Sequence, residues 1–147
     1  MAQRFRIREV GRVALGLLLI GAGVLHLTLW RQVFQAQVPP WLPFDKDFVV
    51  LASGVVEIIL GLAVIVLRGW LRFAIGWVVA AYFVAIFPGN ISQLVDSINA
   101  VGVEGSVQWI VRLFFQPLLV AWALWSTGAW KAAALWLRTR RATTVSR

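Results

Sequence analysis

The chain has 147 residues, 61% hydrophobic and 14% charged, and a mean hydropathy of +0.82, against the ~45–50% apolar content of ordinary soluble domains. This composition excludes a water-soluble fold, and four spanning helices of roughly 20 residues would use over half the length. Fourteen Lys and Arg against six Asp and Glu leave a net charge of +8, while zero Cys and one His exclude disulfides, thiol redox pairs, Cys-ligated metal sites and a bis-histidine haem.

Four apolar stretches follow one another: 11–30, 48–67, 71–87 and 107–126. At ~1.5 Å per residue each is about long enough to cross hydrocarbon, the third only barely. A Pro-rich loop (Val38 to Pro43) separates the first two, a tight turn around Arg68 to Leu71 the next, and a polar loop is expected from Pro88 to Ser106. A last apolar stretch, 129–137, either extends the fourth helix or lies in the interface, before the basic tail 138–147. A basic head and the small residues Gly21-Ala22-Gly23 also resemble a signal peptide. The apolar run continues to Trp30, however, and favours a retained helix. The expected fold is an all-α integral membrane protein, one membrane domain over 1–147 built as a four-helix bundle.

Lys and Arg set its orientation, since cytoplasmic segments keep the excess. The N-terminal segment 1–12, the second loop and the C-terminal segment hold eleven of them, while the first loop holds Arg31 and Lys46. Both termini are therefore expected in the cytoplasm. Tryptophans agree: Trp30, Trp41 and Trp109 fall at the outer boundary, and Trp70, Trp125 and Trp130 at the inner one, where amphipathic rings prefer to sit.

An ionised side chain near the bilayer centre costs about 2.5–3.5 kcal/mol on insertion scales and demands an internal partner. Glu57 and Arg112 are the two such residues; they lie about 14 Å and about 8 Å from the outer ends of their helices. A Glu57–Arg112 ion pair is expected. Gln108, Arg112 and Gln116 form a polar stripe at i, i+4, i+8. Gly54, Glu57 and Gly61 share a face of the second helix, and Gly16, Gly23 and His26 a similar arc of the first. Small residues permit close helix approach, so these faces are expected to turn inward and gather His26, Glu57, Arg112 and Gln116. The same features suit a purely structural pair that fixes helix register, and a histidine simply hydrogen-bonded to a neighbour. An imidazole titrates near neutrality and equally suits an outward-facing proton acceptor. Pro88 must stop or kink the third helix, and Asn90 either forms that turn or joins the cluster.

The run Gly23 to His26, a Pro-rich segment, Ser53-Gly54-Val55-Val56-Glu57, then Phe87-Pro88-Gly89-Asn90-Ile91 and Trp109 to Gln116 resemble the DoxX-like small membrane proteins, from about Gly11 to Trp125. The sequence departs from that pattern in placing its proline at Pro117 and in having Pro88-Gly89-Asn90 where Pro-Ala-Asn is common. The resemblance implies a four-helix bacterial inner-membrane protein, in several cases associated with redox enzymes. It assigns no reaction.

Three readings result. The first is a non-catalytic subunit or anchor of a redox membrane complex, with no resident cofactor. The second is a binding or transport site for a quinone, lipid or solute at the outer polar cluster, with Trp109, Phe114 and Phe115 flanking a planar ring. The third, an enzyme acting alone through His26 and Glu57, lacks a nucleophile motif, metal cluster or phosphate loop. Expected partners are the lipid bilayer, a redox complex or a second copy of the chain, and not nucleic acid.

Overall fold

The computed structural model describes residues 2–135, with side chains from Arg6 onward; the basic tail 138–147 and the end of the expected extension lie outside the described residues. Every regular element among those residues is helical: α1 (Ala2–Leu27), α2 (Arg31–Gln35), α3 (Lys46–Val66), α4 (Gly69–Ala85), α5 (Phe87–Gly105) and α6 (Val107–Thr127). Four stretches are long and apolar enough to cross a membrane: Arg6–Leu27, Lys46–Val66, Gly69–Gly105 and Val107–Thr127.

Helices α1, α3, α4 and α6 form the bundle. The α1–α3 and α4–α6 pairs pack most extensively, and α1 against α6 closes the ring. Glycine sets the α1–α3 approach. A Cβ on Gly23 would sit 2.5 Å from the Gly54 carbonyl oxygen, and one on Gly61 2.6 Å from that of Gly16; the reverse substitutions meet the same partners. The two pairs lie one heptad apart on each antiparallel helix, so the backbones touch where side chains would normally intervene. Between the helices lies a core that includes Leu15, Leu19, Val64, Val79 and Ala123.

Polarity is distributed inside out. Arg12, His26, Glu57, Asn90, Gln93 and Gln116 are buried, whereas Leu17, Ile59, Val84 and Phe114 are among many large apolar side chains left on the outside. Apolar surroundings produce this pattern, because a polar group facing hydrocarbon forfeits its hydrogen bonds.

The segment after Pro88 corrects the sequence expectation: 88–106 is not a loop but mostly α5. Pro88 stands in its first turn, where a missing N–H costs nothing because the first helical amides have no intrahelical partner. The α4 helix ends at Ala85, with Ile86 as its cap, so the chain does stop before Pro88 but starts again at once. The new helix buries Asn90 and Gln93 and exposes Ile91 and Val95. It breaks at Gly102 (φ 76), whose carbonyl accepts from the Ser106 hydroxyl at 2.7 Å. At the other end, Gly128 in the left-handed conformation (φ 83) terminates α6. The expected extension is thus a separate helical piece over 129–135. The first helix also ends earlier than expected, at Leu27, and between it and the Pro-rich loop stands the one-turn α2, whose Phe34 packs with Val38 and Val50 in a second small core.

Candidate ligand cavity

The second core caps one end of the bundle, and beneath it opens a cavity of about 210 Å³. His26 from α1, Glu57 from α3, Tyr82 from α4, Asn90 from α5 and Arg112 from α6 all reach its wall. Its apolar lining includes Phe34, Val38, Trp41 and Val50. An engineered hydrocarbon cavity of about 150 Å³ accepts benzene, so this volume suits a single ring with small substituents.

The expected Glu57–Arg112 ion pair does not form. Glu57 Oε1 instead accepts from the Tyr82 hydroxyl at 2.9 Å, and Oε2 lies 3.0 Å from His26 Nδ1. That nitrogen is also 2.8 Å from the Ala22 carbonyl oxygen. In the tautomer with its proton on Nδ1, the ring donates to the Ala22 carbonyl. Glu57 Oε2 is left buried with no hydrogen-bond donor among the described residues. His26 is fixed further by stacking on Phe34, with ring centroids 3.6 Å apart and planes at 13°.

Arg112 is claimed by neutral oxygens. It donates to Gln37 Oε1 at 2.9 Å and to Gln93 Oε1 at 3.5 Å. Depth counted along ideal helices ignored the two elements that stand beside Arg112, the first loop with Gln37 and the unexpected α5 with Gln93. Because Gln37 turns its oxygen to Arg112, its amide Nε2 is left buried and unpaired. The cavity therefore carries one unsatisfied acceptor and one unsatisfied donor, a rarity for buried polar atoms.

The other expected residues divide. Asn90 lines the cavity, while Gln116 lies behind it, accepting from the Asn90 amide and donating to the Phe83 carbonyl at 2.7 Å. Gln108, the outer member of the expected stripe, is exposed. Trp109, Phe114 and Phe115 do not line the cavity; both phenylalanines face outward at 75% and 56% exposure. Phe114, two positions from Arg112 along α6, lies on the opposite side of that helix. Phe34 and Trp41 take that role instead. Tyr82, Gln37 and Gln93 escaped the sequence analysis, since none is ionised at neutral pH and two lie in segments read as loops. Just outside the cavity Arg31 donates to Asp47, and this hydrogen bond raises the guanidinium above its usual range.

No group of three or more metal-ligating side chains occurs among the described residues. What the site can do is hold a small molecule by hydrogen bonds in apolar surroundings. Four spans and an inside-out polarity mark the chain as a helical membrane protein with a polar cavity at one end. It belongs to the family described as Domain of unknown function (DUF8561), which it matches over residues 15–127. Comparison with curated proteins and with solved structures gave no match.

Proposed function

We propose that the protein is a non-catalytic membrane subunit that binds a single-ring, hydroxyl-bearing molecule, such as a quinol head group, in the cavity beside Glu57. Glu57 Oε2 and Gln37 Nε2, two buried atoms without a hydrogen-bond partner among the described residues, carry this reading. A hydroxyl donates one hydrogen bond and accepts others, and so answers both needs at once. Leaving either atom buried without a partner costs about 1–3 kcal/mol, and a ligand recovers that cost on binding. The chain has no cysteine and one histidine, so electrons from a bound quinol would pass to a partner. The resemblance to DoxX-like proteins supports such a partner and a bacterial inner membrane. The excess of Lys and Arg in the terminal segments and second loop supports both termini in the cytoplasm and the cavity at the outer end.

Native mass spectrometry after purification from the membrane in mild detergent tests the binding role. The wild type is expected to carry a non-covalent small-molecule adduct that Glu57→Gln loses. Identical, unliganded spectra for both would overturn it.

A further inference from the structure

The opposite end of the bundle holds a second cavity, of about 270 Å³, lined by Glu9, Arg12, Arg68, Gly69 and Arg72. Three guanidinium groups against one carboxylate leave it strongly positive, and the use of their donors can be followed one by one. Every nitrogen of Arg12 donates inside the protein: Nε and Nη2 to Glu9, and Nη1 to the carbonyls of Val64, Ile65 and Leu67 that end α3. Arg72 donates through Nε to Thr127, through Nη2 to Ser126 and through Nη1 to Glu9, which leaves one N–H on each terminal nitrogen. Arg68 is exposed, and its guanidinium has no hydrogen bond or ion pair among the described residues. Directly after it α4 begins at Gly69 without a side-chain cap, so its first amides have neither an intrahelical nor a capping acceptor.

We propose that this cavity binds a phosphate group through the Arg68 guanidinium, the remaining N–H groups of Arg72 and the first amides of α4. Glu9 does not block it, because each of its oxygens is already held by Arg12 or Arg72. The donors that remain are a planar fork and a helix start, both suited to an oxyanion. Trp70, 73% exposed beside Arg68, is the residue type that settles at headgroup depth. The phosphate therefore belongs either to an anionic lipid or to a soluble phosphate ion.

Thermal unfolding of the full-length protein in a neutral detergent, followed by tryptophan fluorescence, tests the site. Phosphatidylglycerol is added against phosphatidylcholine, and sodium phosphate against sodium chloride at equal ionic strength. Phosphatidylglycerol is expected to raise the midpoint saturably, at least fivefold more tightly than phosphatidylcholine. Arg68→Gln should lose that response, while Lys131→Gln, an equal charge loss at the same end but outside the cavity, retains it. A phosphate-specific, Arg68-dependent shift without lipid would support the site and assign it to the soluble ion. Equal responses of wild type and Arg68→Gln, or equal responses to both lipids together with equal responses to both salts, would overturn the proposal.

Discussion

Position 57 shows how one carboxylate organises its surroundings. Its cost in an apolar helix made it legible in the sequence, as was its neighbour His26, but its hydrogen-bond donor Tyr82 was not, because a tyrosine in an apolar run reads as another apolar side chain. The Tyr82 hydroxyl is the one donor to Glu57 Oε1. Removing it leaves a buried carboxylate without that bond, so Tyr82→Phe is expected to cost about 1–3 kcal/mol, read as a lower unfolding midpoint in detergent. In a Glu57→Leu background the same substitution should cost almost nothing, since the two side chains act as a unit. Additive losses in the double variant would show that the hydroxyl stabilises the protein through something other than Glu57.

At the scale of elements, glycine spacing and apolar runs gave the bundle away, and α5 did not. Its polar residues and glycines imitate a loop. The hidden signal was the spacing Asn90, Gln93, Ser97, which places three polar side chains on one face, with Ile91 and Val95 on another; in apolar surroundings the polar face turns inward. The α1–α3 contact makes a sharper claim. Gly23→Ala drives a methyl to 2.5 Å from a backbone oxygen of α3, and backbone cannot yield as a side chain tip does. It is expected to destabilise by about 1–3 kcal/mol. Gly21→Ala, two residues away, meets nothing within 4 Å and should stabilise α1 by about 0.5–1 kcal/mol. Thermal unfolding of the two variants side by side is the check, and equal effects would mean that the helices do not approach through Gly23.

For the whole molecule, charge counting treated the arginines near the N-terminus and second loop as markers of topology. Arg12 and Arg72 also tie α1, α3, α4 and α6 together through Glu9 and the ends of α3 and α6. Nothing in a charge count distinguishes an arginine that caps a neighbouring helix from one that only faces lipid headgroups; that distinction needs the antiparallel packing. The proposed orientation is open to direct labelling, because the chain has no native cysteine. In intact cells an impermeant maleimide is expected to label Gln32→Cys and spare Lys131→Cys, both exposed positions. The reverse pattern would place the Glu57 cavity at the cytoplasmic end.

The two unpaired atoms beside the cavity can be addressed with probes of one shape and different hydrogen bonding. Calorimetric titration of the purified protein with hydroquinone and with p-xylene compares a ring bearing two hydroxyls with one bearing two methyls. Hydroquinone should bind one to one and weaken at least tenfold in Glu57→Gln, whereas p-xylene should bind far more weakly and be indifferent to that change. Equal affinity for the two rings, or hydroquinone binding unaltered by Glu57→Gln, would contradict a site built around the free oxygen of Glu57.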